Sequence, residues 1–262
     1  MIGVSTACLY PLDTEVSLRF LAENGVKTIE VFINTFSEFK LDYIRSLKQI
    51  CDRYGVQVYS IHPFTSFMET YFFFDDYVRR KSDGLYLYES FFEASSFLGA
   101  KVFNFHGQLQ QAPDCEERYL ETYSELYGLA KKYGLKFSQE NVRNYKSRDI
   151  AFIRKMVAQL GDQLDFTLDI KQAHMAGQDI FEMAEAMSNR LSLVHINDFD
   201  EEHDCMLPLC GICDLYGLHK NLSNSGFSGP YMIEVYSSNY RDRKEILNSK
   251  GQLEKIFDGK AG

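Results

Sequence analysis

Apolar and polar positions along the chain follow two alternating periods. Around residues 39 to 54, Leu41, Ile44, Leu47 and Ile50 recur every three positions, which puts them on one face of an amphipathic helix. Similar stripes cover roughly 114 to 133 and 147 to 160, and a last one runs from about 241 to 257. Between the helical stretches lie short apolar or alternating runs, the pattern of strands, at 2–5, 28–33, 56–61, 101–105, 135–139, 165–169, 191–196 and 231–235. The joints share a form in which a helix end meets Gly25, Gly55, Gly99 or Gly134 and a strand follows at once. Glycine suits the left-handed position that closes a helix, and a repeated joint of this kind is what βα units produce. Eight such units predict a single-domain (β/α)8 barrel over residues 1–262. An open, doubly wound sheet is the rival arrangement, but the chain has no glycine-rich phosphate fingerprint and no Pro/Gly/Ser-rich linker.

Composition narrows the partners. With 262 residues, 45% of them hydrophobic, the chain can bury one large core. A formal charge of -9 and the lack of a Lys/Arg run argue against nucleic acid as a partner. The opening MIGVSTACLYPLD lacks a basic region followed by an apolar stretch, and no later run approaches a membrane span, so a soluble, cytoplasmic protein without a membrane partner is expected. Cysteines 8, 51, 115, 205, 210 and 213 are too scattered for a disulfide scaffold. Cys205, Cys210 and Cys213 include a C-x-x-C, but a closed zinc site needs a fourth ligand, and packed small residues beneath a loop are the plainer account.

In a barrel of this type the chemistry gathers where strands run out into the βα loops. The predicted strands three to eight end in Ser60-Ile61-His62-Pro63, Asn104-Phe105-His106-Gly107, Gln139-Glu140-Asn141, Thr167-Leu168-Asp169, Val194-His195-Ile196-Asn197-Asp198 and Ile233-Glu234-Val235. Any one His or carboxylate at a strand end is more often solvated than functional. Together, however, Glu140, Asp169 and Glu234 would crowd three carboxylates around one mouth, a repulsion that a divalent cation or protons must relieve. Three oxygen ligands and one imidazole, from His195, lean toward Mn²⁺, Mg²⁺ or a related ion, whereas further histidines would favour Zn²⁺. Glu30 is expected to brace the rim from strand two, His203 and His219 to be ordinary loop or helix residues, and Phe32, Phe64, Phe67, Tyr71 and Phe72 to Phe74 to roof a pocket or pack a helix, the triplet rather the latter.

The segments SQEN at 138, FTLDIKQAHMAGQD at 166, LVHINDFD at 193 and YMIEVYSSNY at 231 make the chain resemble, over nearly its whole length, the xylose isomerase-like TIM barrels. That family includes sugar isomerases, ketose 3-epimerases and apurinic-site nucleases of the endonuclease-four type. The resemblance implies that Glu140, Asp169, His195 and Glu234 are the shared metal ligands, with Glu140 and Glu234 also acting as base and acid in proton transfer beside a metal-polarised carbonyl. It implies a small sugar, sugar phosphate or inosose as substrate. His62 and His106 match nuclease-branch positions and would touch substrate or complete a second metal site. Two nuclease ligands are missing, since Gln172 stands where that branch has His, with His174 two residues on, and Asp204-Cys205-Met206 stands for its Asp-x-His. The P-x-G-x-G loop of the epimerase branch survives only in altered form across residues 207–214.

Arg143 and Lys171 are candidates to hold an anionic group, and Gln172 and Asn197 join them as candidate substrate contacts. The expectation is therefore a metal-dependent sugar isomerase or epimerase, in which a homo-oligomer is compatible with the reading. The alternatives are a metal-dependent phosphodiesterase or nuclease and a non-catalytic sugar-binding barrel.

Overall fold

The computed structural model describes residues 1–112 and 116–259. Cys115 lies outside them. Eight parallel strands, β1 (Ile2–Ser5), β2 (Thr28–Ile33), β3 (Gln57–Pro63), β4 (Val102–Phe105), β5 (Lys136–Glu140), β6 (Asp165–Asp169), β7 (Leu191–Ile196) and β8 (Tyr231–Ile233), close into a barrel in sequence order, β8 pairing with β1. The ring of helices comprises α1 (Thr14–Glu23), α2 (Leu41–Tyr54), α3 (Ser66–Phe73), α4 (Val78–Leu98), α5 (Glu116–Lys132), α6 (Ile150–Leu160), α7 (Ile170–Met175), α8 (Ile180–Met187), α9 (Leu215–Asn224) and α10 (Lys244–Phe257). Among the described residues no helix is long and apolar enough to cross a membrane.

The expected strands are thus all present, with two shifts at the mouth. β3 runs two residues further, to Pro63, and β8 stops at Ile233, leaving Glu234 just beyond the sheet. The closing glycines take the left-handed backbone their position demands, as at Gly55 (φ 62°) and Gly99 (φ 90°). In α2 the stripe buries Ile44, Leu47 and Ile50, but Leu41 begins the helix and is exposed.

Period-two alternation divides each strand between two environments. Phe103, Phe105 and Phe137 point outward and meet Tyr88 and Phe92 of α4 and Tyr123 of α5, with Phe92 and Phe103 edge to face at 5.0 Å. Removing such a ring, as in Phe137→Ala, costs about 3–5 kcal/mol. The residues between them point inward, and here they are polar: Glu30, Ser60, Asn104, Ser138 and Thr167 are all fully buried. That polar interior lies directly under the mouth.

Candidate active site

Four strands deliver the expected quartet to one point. Glu140 ends β5, Asp169 ends β6 opposite His195 of β7, and Glu234 follows β8; one ligand-type atom from each lies within 4.8 Å of the others. All four are buried. His195 Nδ1 stands 3.2 Å from Glu140 Oε1, 3.4 Å from Glu234 Oε2 and 3.8 Å from Asp169 Oδ2.

The other face of that imidazole fixes its tautomer. Nε2 lies 3.0 Å from Glu30 Oε2, an ionised acceptor, so it keeps its proton, and Nδ1, turned to three carboxylates, is the nitrogen that would give up its proton to a cation. Glu30 is held in turn by Ser60 Oγ (2.7 Å) and Asn104 Nδ2 (2.9 Å). Thr167 Oγ1 donates to Asn104 Oδ1 at 2.7 Å, so the Ser138 hydroxyl, 2.7 Å from Thr167 Oγ1, must donate to it. Sequence reading put Glu30 at the rim; the structure puts it inside the barrel, supporting His195 from below.

Asp169 has two tasks, one for each oxygen. Oδ1 caps α7 by accepting from the Gln172 N–H at 3.0 Å, which leaves Oδ2 toward His195. Asn141 holds the Asp169 backbone reciprocally, donating to its carbonyl (2.9 Å) and accepting from its N–H (2.8 Å). Asp169 Oδ2 and Glu140 Oε2 are buried and met only by long charge contacts, the first from Lys171 Nζ at 3.5 Å and His195 Nδ1 at 3.8 Å, the second from His62 and His106 Nε2 at 3.4 Å each. A buried carboxylate oxygen so loosely satisfied is costly and leaves room for a cation.

His62 and His106 form a second group that shares Glu140. Each places Nε2 at 3.4 Å from Glu140 Oε2, and the two Nε2 atoms are themselves 3.4 Å apart. Glu69 of α3 orients His106. It lies 3.2 Å from Nδ1 and accepts the N–H of His106 (2.9 Å) and Gly107 (2.5 Å) and the Tyr88 hydroxyl (2.8 Å). No sequence signal singled out Glu69, because it lies in a helical segment remote from any strand end.

The charges respond to this crowding. Burial would raise the Glu30 carboxyl, but the His195 charge and hydrogen bond outweigh it and hold it at about 2. Burial would also raise Glu140, yet its bonds to His195 and His62 keep it well below the usual range. For His62, burial works downward, and the hydrogen bond and charge of Glu140 reverse it and lift the imidazole to about 9. His195 is likewise held well above its ordinary value, its burial overcome by Glu30 and Glu234. The site thus retains positive charge wherever it can find it.

The remaining candidates divide. Lys171 is not a solvated side chain: it is buried, with Nζ 3.4 Å from Glu234 Oε2 and 3.5 Å from Asp169 Oδ2. Asn197 is buried with Oδ1 unpartnered, its Nδ2 donating to the Glu234 carbonyl at 3.4 Å. Gln172 accepts from the Arg143 backbone N–H at 3.1 Å, and the exposed Arg143 side chain runs toward Met175 Sδ at 3.8 Å. Beside Glu234 a cavity of about 270 Å³ is lined by Ala7, Tyr10, Phe32, Asn34, Val235 and Tyr236 as well. Phe32 stacks on His62 at 4.7 Å, while Phe73 and Phe74 are core residues and Phe67 and Tyr71 are exposed. His203 pairs with its neighbour Asp200, and His219 stacks on Phe257.

The cysteines need a correction. Cys205 is buried, but Cys210 is exposed and Cys213 intermediate, so packed thiols beneath a loop describe only the first. The altered loop is tied instead by buried Asp198, whose carboxylate accepts the N–H groups of Phe199, Gly211 and Cys213 at 2.9, 3.0 and 3.0 Å.

A closed α/β barrel with a buried acid–histidine cluster at its mouth defines the class. The chain belongs to the xylose isomerase-like TIM barrel family, whose sequence profile matches residues 18–255. It is 22% identical to an uncharacterized protein of Mycobacterium leprae, the match covering 98% of this chain and 97% of that one. A D-tagatose 3-epimerase-like protein superposes with a TM-score of 0.82 at 19% identity, covering 99% of this chain and 97% of its own. The IOLI protein, whose crystal structure holds a zinc atom, superposes with a TM-score of 0.78 at 16% identity over 100% of this chain and 99% of its own. At these identities the superpositions establish the fold.

Proposed function

We propose that the protein is a metal-dependent isomerase or epimerase of a small carbonyl sugar. The observation that carries the reading is the convergence of Glu140, Asp169, His195 and Glu234 on one buried point, with carboxylate oxygens there that make no short hydrogen bond. Three carboxylates and a neutral imidazole nitrogen are a donor set suited to a divalent ion such as Mn²⁺, Mg²⁺ or Zn²⁺. Held there, the ion would supply Lewis acidity, making the hydrogen beside a carbonyl acidic. Glu234, which lines the cavity, and Glu140 are the groups to remove and return that proton. Phe32, Tyr236 and Tyr10 give the cavity apolar walls.

The cavity lining contains no cation, Lys171 is engaged by two carboxylates and the Arg143 side chain lies over Met175. An uncharged sugar or inosose is therefore favoured over a sugar phosphate. Titration with Mn²⁺, Mg²⁺ and Zn²⁺, followed by exchange of a carbon-bound hydrogen of ketoses and inososes with deuterated water, tests the proposal. Glu234→Gln should fold normally and lose exchange by roughly 100-fold or more. Absence of divalent-ion binding, or undiminished exchange in Glu234→Gln, removes it.

A second reading, metal-dependent phosphoester hydrolysis, is favoured by one observation only, the group His62, His106 and Glu140. One ion per chain supports the isomerase, and two or three zinc ions support the hydrolase.

A further inference from the structure

The backbone around Glu234 lies where the barrel's own hydrogen bonding runs out. β1 pairs with β8 as far as Val4 opposite Ile233, and the chain then turns away into a short 3-10 segment, Thr6–Leu9. Beyond Ile233, the chain has lost its β1 neighbour on that side. Cys8, on the 3-10 segment, takes over. Its thiol lies 3.2 Å from the Ile233 carbonyl, to which it donates, and accepts from the Val235 N–H at 3.4 Å. One side chain thus spans the two peptide groups that flank Glu234, as a strand would.

On the β7 side the Glu234 N–H reaches the Ile196 carbonyl at 3.3 Å, and the Glu234 carbonyl accepts from Asn197 Nδ2 at 3.4 Å and from the Cys205 thiol at 3.7 Å. Cys205 has a left-handed backbone (φ 61°), which favours Gly or Asn, and Asn239 Nδ2 holds it there by donating to the carbonyls of Asp204 (3.0 Å) and Cys205 (3.1 Å). A glycine there would relax the backbone and lose the thiol. Both thiols are fully buried.

We infer that Cys8 and Cys205 are positioning residues that clamp the backbone of Glu234 from opposite sides and so aim its carboxylate into the site. The inference rests on the reading of Glu234 as ligand and proton carrier, because only a group that must be placed to within a fraction of an ångström gains from such a clamp. Thiols are weak hydrogen-bonding groups, but here one serves as donor and acceptor at once, a double role that serine keeps and alanine or valine cannot.

The test compares Cys8→Ser, Cys8→Val and Cys205→Ala in the full chain by two measurements, amide hydrogen exchange across residues 233–235 and Mn²⁺ affinity by titration. Cys8→Val should speed exchange at Val235 and weaken Mn²⁺ roughly 10–100-fold, the usual scale for loss of a supporting partner. Cys8→Ser should restore both, although valine packs better in an apolar surrounding. Cys205→Ala should weaken Mn²⁺ less, since Asn197 still holds the same carbonyl. Valine equal to or better than serine in both measurements would overturn the inference, as would unchanged exchange at Val235 in Cys8→Val. If the unaltered protein takes up none of Mn²⁺, Mg²⁺ and Zn²⁺, the functional reading fails by itself, and the exchange measurement still decides this one.

Discussion

Glu30 Oε2 lies 3.0 Å from His195 Nε2, on the side of the imidazole turned away from the carboxylates of Glu140 and Glu234. A histidine whose second nitrogen is bound to a carboxylate is fixed in orientation and made more basic at the first. Glu30→Gln keeps the shape and removes the charge. It should lower divalent-ion affinity roughly 10–100-fold, measured by calorimetric titration, with the fold intact by circular dichroism. Unchanged affinity would mean that Glu30 is only a satisfied core residue.

The metal-free protein should lose stability as the solution becomes alkaline. His62 is raised to about 9, above the unfolded histidine value near ~6.5. Its contribution is therefore complete below ~6.5 and lost as pH climbs through about 9. Glu30 behaves oppositely: held at about 2, it stabilises above the unfolded value of ~4.3 and loses that effect as pH falls toward about 2. Thermal unfolding of chelator-treated protein should give a midpoint that drops between neutral pH and about 9. A midpoint rising over that window would contradict the charge state assigned to His62.

Glu69 accepts from two backbone N–H groups and a tyrosine hydroxyl, none of which has water to turn to. Glu69→Ala strands all three, and should cost about 3–5 kcal/mol by denaturant unfolding. Glu69→Gln should cost only ~1–3 kcal/mol. A negligible loss in Glu69→Ala would show that the end of β4 is held by other means.

Thiol chemistry should sort the cysteines by burial. Cys210 is exposed, whereas burial pushes Cys205 to about 12 and Cys8 higher still. Thiolate is the reactive form, so a maleimide at neutral pH should label Cys210 well before Cys8 or Cys205, read by peptide mass spectrometry. Early modification of Cys8 would mean that the β1–β8 seam opens readily.

The barrel and the converging quartet were legible in the sequence because both follow from period. Alternation set which residues of a strand face inward, and the strand ends of a barrel share a rim, so Glu140, Asp169, His195 and Glu234 could be gathered without coordinates. What supports them was not legible. Glu69 reaches His106 from a helix that only tertiary packing brings near, and Cys8 reaches Glu234 across 226 positions of sequence at the seam where the barrel closes. Sequence reading made Lys171 a candidate to hold a substrate anion, but with α7 starting at Ile170 it is buried beside Glu234 and Asp169. The loop at 205–213 depends on a buried carboxylate, Asp198, whose partners are backbone N–H groups and leave no trace in residue type.

The hydroxyls and amide beneath the mouth form a directed relay, Ser138 to Thr167 to Asn104 to Glu30, with Ser60 and His195 meeting the same oxygen. Six different strands each contribute one member. The upper loops therefore cannot be transplanted alone onto a foreign barrel with a greasy interior, for the imidazole would arrive without the wiring that tells it which nitrogen to offer. Conversely, Thr167→Val, a swap of a single atom group deep in the scaffold, should be felt at the rim.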